Sequence, residues 1–217
     1  MVDRPDRPLS LYSEMVTERR RAKIADVVSR RQRGVVVFED VADPHNAAAV
    51  LRTSEALGFQ TVCYIFETNE PFDPRAIGKD SSGAANKWLD FSIYHSTEAC
   101  LQDLKADGYE LIATVADRGA ESLVDADLSG SDIALLFGNE HRGLSQQAVE
   151  MADRRVTIPL RGMTRSLNLS VAAAICLYEI TRQRQQQGLD AFRLSPAERE
   201  ALRASFLDRA SDSEGQR

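Results

Sequence analysis

The sequence predicts an α/β fold built on a parallel sheet. Short apolar runs typical of buried strands alternate along the chain with longer segments of helical periodicity. The first such unit joins the apolar run Val35–Phe38, the helical segment Asn46–Leu57 and the apolar run Thr61–Phe66. Gly58 follows the helical segment directly, where a helix-terminating glycine is expected. A strand, a helix and a second strand in close succession predict two parallel strands joined by a crossover helix.

The same alternation continues to the end of the core. The further predicted strands are Phe91–Tyr94, Glu110–Val115, Ile133–Phe137 and Val156–Leu160. The further predicted helices are Ser96–Asp107, a short helix within Glu140–Ala152, and Val171–Gln187 before Gly188. The polar segment Glu67–Asp90 lacks either period, and we expect a loop with a short helix there.

Helical segments flank this core on both sides. Residues Met1–Pro8 are expected to form a flexible arm, and Ser10–Arg31 a helix with arginines opposite a short apolar face. Leu194–Ala210 is predicted to be a charged amphipathic helix that Ser195 caps before Pro196. The predicted domains are an N-terminal arm with a basic helix at 1–33, a central domain at 34–188 and a C-terminal helical extension at 189–217.

Composition argues against several classes of protein. The 217 residues are 43% hydrophobic and 28% charged, which is ordinary for a globular protein. No apolar run could span a bilayer and the N-terminus lacks the apolar core of a signal peptide, so we expect a cytoplasmic protein. Three widely spaced cysteines predict core positions, not a metal site or a disulfide framework. No GxGxxG follows the first predicted strand and no Walker A motif occurs, which argues against dinucleotide and P-loop sites.

The net charge of −6 conceals two concentrations of arginine. One lies in the N-terminal helical segment, and the other surrounds the loop that holds Arg161 and Arg165. Guanidinium groups bind phosphates through paired hydrogen bonds, so clustered arginines predict a nucleic-acid partner despite the acidic total. The candidates for RNA contacts are Arg19, Arg20, Arg21, Arg30, Arg31 and Arg165.

The segment Val156–Thr181 organises the candidate site. It predicts a strand, a polar loop and a helix that begins near residues 166–168, where short polar side chains can cap exposed N–H groups. Polar density at a helix N-terminus indicates a bound ligand, because free N–H donors point outward there. In parallel sheets ligands bind beyond the carboxyl ends of strands, where Thr114, Gly138 and Ile158–Leu160 stand. The apolar residues of this segment are also compatible with packing alone.

Three stretches together resemble the motifs of the SpoU/TrmH branch of the SPOUT RNA methyltransferases. They follow the family's order and are DPHNAAAVLRT at 43–53, LLFGNEHRGL at 135–144, and IPL at 158–160 with SLNLS at 166–170. The resemblance covers residues 30–187 and extends to the basic N-terminal helix. It implies a parallel-sheet SPOUT fold with a C-terminal trefoil knot, which is an exception to the unknotted topology of most proteins. It also implies a homodimer that packs the first motif helix and the last core helix across the interface.

The resemblance implies transfer of a methyl group from S-adenosylmethionine to a ribose 2′-hydroxyl of RNA. The chain length and the two helical extensions look most like family members that methylate a D-loop guanosine of tRNA. Two alternatives stay open: a 2′-O-methyltransferase acting on ribosomal RNA or the tRNA wobble ribose, and a knotted RNA-binding protein without catalysis.

The resemblance also assigns roles to residues. The implied cofactor contacts are Thr114, Gly138, Ile158, Leu160, Ser166 and Leu167. Arg52 is the implied catalytic residue, and in one interpretation it acts on a cofactor held by the other subunit. An arginine is a poor base because its guanidinium holds its proton tightly, which favours phosphate binding and oxyanion stabilisation over proton removal. Asn46 is expected to orient Arg52 or the ribose, and Glu140 to fix an arginine or the loop beside the cofactor. Ser166 and Asn168 are expected to order the active-site loop.

Overall fold

The structure, a computed structural model, describes residues 16–77, 85–130 and 132–214. The predicted N-terminal arm and the start of the predicted first helix lie outside these residues. The chain divides into two units, a helical one from Met1–Arg31 with Arg193–Arg217 and a central one from Gln32–Phe192. The candidate site belongs to the central unit.

The central unit is built on one parallel sheet. Numbered along the chain, its strands are β1 (Gln32–Glu39), β2 (Phe59–Ile65), β3 (Asp90–Tyr94), β4 (Glu110–Thr114), β5 (Glu121–Ser122), β6 (Ile133–Phe137) and β7 (Arg154–Thr157). The seven strands lie in the order β3-β2-β1-β6-β4-β7-β5, and each neighbouring pair is parallel. The predicted fold class is therefore confirmed, whereas the knot stays a prediction. The carboxyl ends of β4, β6 and β7 lie side by side at one edge of the sheet.

The helices begin and end where the sequence provides caps. They are α1 (Glu18–Ser29), α2 (Pro44–Leu57), α3 (Thr97–Ala106), α4 (Gln146–Met151), α5 (Leu169–Gln187) and α6 (Pro196–Glu214), with short 3₁₀ turns at Ala85–Trp88 and Leu189–Phe192. At the start of α2 the Asp43 carboxylate accepts the His45 N–H, and at its end Gly58 adopts a left-handed φ of 87°. Asn168 caps α5 in the same way. Polar caps thus fix the start of both helices that carry site residues.

The end of β7 differs from the prediction. The predicted strand Val156–Leu160 runs instead from Arg154 to Thr157, because its neighbours β4 and β5 end at Thr114 and Ser122, which pair with Val156 and Thr157. Residues 158–160 therefore leave the sheet and turn into the candidate site. The two-residue strand β5 was not predicted, since it is too short and polar to produce an apolar run.

Apolar side chains cover both faces of the sheet. Along β1, Val36 and Phe38 belong to the core beneath α2 and α5, whereas Val35 and Val37 belong to the core beneath α3 and α4. Burial on both faces explains why the strands are continuous apolar runs and not alternating ones. The three cysteines are free and buried, as predicted. Among the described residues, no helix is both long and apolar enough to span a membrane.

The helical unit corrects one predicted RNA contact. Helices α1 and α6 pack together through buried residues that include Ile24, Val28 and Phe206. Arg31 is only 1% exposed, and its guanidinium carbon lies 5.6 Å from the centre of the Phe206 ring. A guanidinium stacked inside this unit cannot reach a phosphate at the surface, so Arg31 is withdrawn from the RNA-binding set.

Candidate functional site

A cavity of about 1090 Å³ opens at the carboxyl ends of β4, β6 and β7. Its walls are the strand ends, the loop at residues 138–144 and the irregular segment 158–167. The residues that the resemblance assigned to a cofactor all line it: Thr114, Gly138, Ile158, Leu160, Ser166 and Leu167. This volume suits a nucleoside-sized ligand, since small-molecule sites commonly span about 300–1,000 Å³.

Gly138 sets the shape of one wall. A Cβ atom at this position would collide with backbone atoms of Gly143 and Leu144, so only glycine allows the chain to return this closely. Asn139 and Gly143 close the loop through two backbone hydrogen bonds of 3.0 and 2.8 Å. The left-handed φ of 71° at Gly143 completes the return. The six residues 138–143 therefore form a tight backbone turn beside the cavity, which we call the cavity loop.

Glu140 ties the cavity loop to the start of α2. Its carboxylate accepts the backbone N–H groups of Ala42 and Asp43 at 2.9 and 3.1 Å. It also accepts an N–H of the Asn46 amide at 3.1 Å. Partial burial alone would raise the pKa of Glu140, but these hydrogen bonds outweigh it and lower the pKa. Of the two expected roles, fixing the loop beside the cavity agrees with these contacts.

Asn46 continues this connection to α5. Its carbonyl oxygen accepts an N–H of the Asn168 amide at 2.9 Å. The Asn168 oxygen in turn accepts the backbone N–H and the hydroxyl of Ser170, at 2.8 and 2.7 Å. A single chain of hydrogen bonds, Glu140–Asn46–Asn168, therefore joins the three sequence motifs. We call it the motif bridge.

Arg52 lies apart from these residues. It is exposed on α2 and is absent from the lining of its own chain's cavity. Asn46 precedes it by six positions, which places the two side chains about 120° apart around the helix. The Asn46 side chain contacts Glu140 and Asn168, and its expected role in orienting Arg52 or the ribose stays a prediction.

The remaining predicted RNA contacts occupy two surfaces. Arg19 is exposed on α1, Arg20 and Arg21 are partly buried there, and Arg30 pairs with Asp26 on the same helix. Ser166 and Arg165 are exposed in the segment that lines the cavity. The arginines of α1 and Arg165 therefore belong to different units of the chain.

One face of α5 carries exposed apolar side chains. Val171, Ile175 and Tyr178 are exposed, and their spacing of four and three residues places them on one side of the helix. Large apolar groups at this spacing on a helix surface indicate a contact with another protein surface. The sequence period alone did not separate these residues from the buried face of the same helix.

We expect Glu140→Gln to remove a pH-dependent part of the stability. Because folding lowers the pKa of Glu140, its carboxylate stabilises the folded state above the unfolded pKa of about 4.3, and this contribution disappears as pH falls through the lower folded pKa. Urea unfolding should show a loss of about 1–2 kcal/mol for the variant at neutral pH. The difference should shrink towards pH ~3. Glu150→Gln on the exposed side of α4 is the control, and a difference independent of pH would contradict this role.

Comparison with known proteins agrees with the motifs. Residues 33–178 match the model of the SpoU rRNA Methylase family. The tRNA (guanosine(18)-2′-O)-methyltransferase of Thermus thermophilus is 35% identical over 193 residues, which is 88% of this chain and 97% of that protein. The crystal structure of the Aquifex aeolicus TrmH/SpoU tRNA modifying enzyme has a TM-score of 0.78 at 29% identity, covering 88% of this chain and 97% of that one. An AdoMet-bound rRNA methyltransferase from Sinorhizobium meliloti has a TM-score of 0.61 at 26% identity, covering 73% and 59%. The chain therefore belongs to the SpoU rRNA methylase family.

Proposed function

We propose that this protein transfers a methyl group from S-adenosylmethionine to the ribose 2′-hydroxyl of guanosine 18 in the D-loop of tRNA. The observation that carries the proposal is the cavity at the strand ends, which the motif bridge joins to α2 and α5. Similarity over 97% of a relative named for guanosine 18 of tRNA supports the substrate. A tRNA substrate in turn favours a cytoplasmic location.

The residues of the cavity fit S-adenosylmethionine. Ile158, Leu160 and Leu167 offer apolar surface for an adenine ring, and the backbone groups of the strand ends and loops offer hydrogen bonds to its edge. Thr114 is held at the rim, since its hydroxyl donates to the Leu136 carbonyl at 2.7 Å. When bound, the cofactor supplies a methyl group on a positively charged sulfur, which a nucleophile can attack.

The residues of this chain contribute position and electrostatics to the reaction. The 2′-hydroxyl must lose its proton, which passes to solvent water, as its oxygen bonds to the methyl carbon in line with the carbon–sulfur bond that breaks. Arg52 is suited to hold the adjacent phosphate and to stabilise the charge that develops on this oxygen, since a guanidinium remains protonated. The motif bridge fixes α2, α5 and the cavity loop relative to one another, and such alignment lowers the entropic part of the barrier.

We infer that the active protein is a homodimer in which Arg52 serves the cavity of the other copy. The position of Arg52 outside its own cavity lining supports this inference. The exposed stripe Val171, Ile175 and Tyr178 on α5 supplies an apolar contact surface, and the partly exposed Ala172 and Ala174 beside it allow a helix to approach closely. Helix α2 packs beside α5 in the same chain, so one interface can include both helices.

The assay incubates the purified protein with labelled S-adenosylmethionine and unmodified tRNA transcript, and separately with ribosomal RNA. Digestion should release labelled 2′-O-methylguanosine from the D-loop of tRNA. A guanosine-to-adenosine change at position 18 of the transcript should abolish the label. Label only in ribosomal RNA or at the wobble ribose would contradict the proposed substrate. Cofactor binding without any methyl transfer would contradict the proposed enzymatic activity.

We propose that the helical unit, which comprises the terminal segments of the chain, binds tRNA and takes no part in the chemistry. Replacing Arg19, Arg20 and Arg21 together by alanine should weaken tRNA binding. The slope of log affinity against log salt should become less steep by about 2, because the variant contacts fewer phosphates and its binding therefore releases fewer counterions. Affinity for S-adenosylmethionine should not change. Filter binding over a salt series measures the slope, with Lys105→Ala on α3 as the control. An equal loss of cofactor affinity would contradict this assignment.

A further inference from the structure

Asp40 connects two loops at the end of β1. It is 5% exposed and adopts a left-handed φ of 51°, which aspartate tolerates better than most residues. One carboxylate oxygen accepts the backbone N–H groups of Glu67, Thr68 and Asn69, at 2.9, 2.9 and 3.1 Å. The Asp40 carbonyl accepts the side-chain amide N–H of Asn139 at 2.8 Å. Asp40 therefore fixes the segment 67–69 beside the cavity loop.

The second carboxylate oxygen of Asp40 binds an arginine of the cavity loop. Arg142 donates to it from Nη2 at 3.0 Å, and the same nitrogen contacts the Thr68 hydroxyl. Arg142 lines the cavity, and its side chain is 52% exposed. Neither Nε nor Nη1 of Arg142 has a hydrogen-bond partner within the described parts of the chain. Nη2 is thus anchored, whereas Nε–H and the Nη1 N–H groups, which point to different sides of the guanidinium, remain as donors.

A purely structural role explains this arrangement poorly. Three backbone N–H groups and the Thr68 hydroxyl already hold the segment 67–69 to Asp40. Ordering a half-exposed arginine costs side-chain entropy, and one exposed ion pair offsets little of this cost. Anchoring does, however, preset the orientation of the guanidinium plane. Both paired-donor edges of a guanidinium include Nη2, so Nε–H and the Nη1 N–H groups remain as single charged donors, each of which can bind one phosphate oxygen.

We propose that Arg142 binds a phosphate of the RNA substrate at the mouth of the cavity, and that Asp40 is the positioning residue that holds its guanidinium. The inference rests on the proposed function, since it assigns a contact to the RNA of that reaction. Arg142 neighbours Gly143 and Glu140 in the cavity loop, so a phosphate held there lies at the rim of the cavity. Exposed Arg165 lies in another wall of the same cavity and adds positive charge to this rim.

The test compares Arg142→Ala, Arg142→Lys and Asp40→Asn in the full-length protein. Filter binding of unmodified tRNA transcript over a salt series gives the affinity and its salt slope. Arg142→Ala should weaken binding about tenfold and lower the slope by about 0.7–0.9, the value of one phosphate contact. Arg142→Lys should keep the slope but bind more weakly than wild type, because an ammonium group has no plane for Asp40 to orient. Asp40→Asn, which suits the left-handed backbone, should keep the slope and weaken binding less than Arg142→Ala does.

The control is Arg155→Ala, which should leave tRNA affinity unchanged. Arg155 has a matching exposed fraction of 51% and a carboxylate partner, Asp117, at 4.0 Å, but it lies outside the cavity lining. Unchanged affinity and slope in Arg142→Ala would overturn the proposal. Weaker tRNA binding with an unchanged slope would show that Arg142 makes a structural contact instead. A loss of affinity confined to S-adenosylmethionine would show that the guanidinium contacts the cofactor. Either result would overturn the proposal. A wild type that binds tRNA but transfers no methyl group would refute the proposed function alone, since the binding comparison does not depend on transfer.

Discussion

Arg52→Ala should lower kcat for methyl transfer by about 10³-fold and leave the affinity for S-adenosylmethionine unchanged. The first effect is expected because the guanidinium stabilises charge that develops only as the 2′-oxygen attacks, so its loss is felt in the transition state. The second is expected because Arg52 does not line the cavity of its own chain. Single-turnover assays with labelled cofactor and saturating tRNA measure kcat, and calorimetry measures cofactor affinity. Arg52→Lys should recover part of the rate, since it retains the charge without the paired donors.

Mixed dimers separate action within one chain from action across the interface. One parent carries Arg52→Ala and retains an intact cavity, and the other carries Gly138→Ala and retains Arg52. If Arg52 serves the other copy, the mixed dimer contains one complete site and should regain activity that neither parent has. If Arg52 serves its own cavity, no site in the mixture is complete. An inactive mixture of proven heterodimers would therefore overturn the proposed arrangement, and a normal kcat for Arg52→Ala would remove Arg52 from catalysis.

The sequence predicts the sheet well because its strands are buried on both faces. The apolar run Ile133–Phe137 coincides with β6, since a central parallel strand needs apolar side chains on each side. The end of β7 was misplaced because strand length there depends on its neighbours, and its last paired residue, Thr157, faces Ser122 at the end of β5. The two residues of β5 carry no periodic signal of their own, and only their pairing with β7 makes them a strand.

The candidate site was predictable in its members but not in its contacts. The motifs and the strand ends placed the predicted cofactor contacts at one edge, and the lining of one cavity includes them all. Local sequence could not show that Asn46 bridges Glu140 and Asn168, because these residues are about a hundred positions apart. The burial of Arg31 under Phe206 has the same cause, since α1 and α6 come from opposite ends of the chain. The sequence also did not single out Arg142 within its motif, because only the fold brings Asp40 into contact with it.

Gly138→Ala should abolish measurable cofactor binding and destabilise the folded protein. The added methyl group would occupy the space of the Gly143 carbonyl and the Leu144 nitrogen, and these are backbone atoms that no rotamer change can move. Overpacking of this kind costs about 1–3 kcal/mol or more even against side chains. Relief requires the cavity loop to open, which would separate Asn139 from Gly143 and displace the Glu140 end of the motif bridge. Urea unfolding measures the stability, and calorimetry measures S-adenosylmethionine binding.

Gly162→Ala is the matched control in the same cavity. A Cβ at Gly162 would meet only the Thr164 nitrogen, at 4.0 Å, which is ordinary contact. The two variants add the same methyl group to residues that line the same cavity, and they differ only in whether backbone occupies the space. Gly162→Ala should therefore retain cofactor binding and change stability by less than about 1 kcal/mol. Equal losses in both variants would show that the cavity tolerates no added volume, whereas a loss confined to Gly138→Ala would locate the requirement in the close return of the cavity loop. In that case the glycine acts through the motif bridge, because it sets the position from which Glu140 reaches α2.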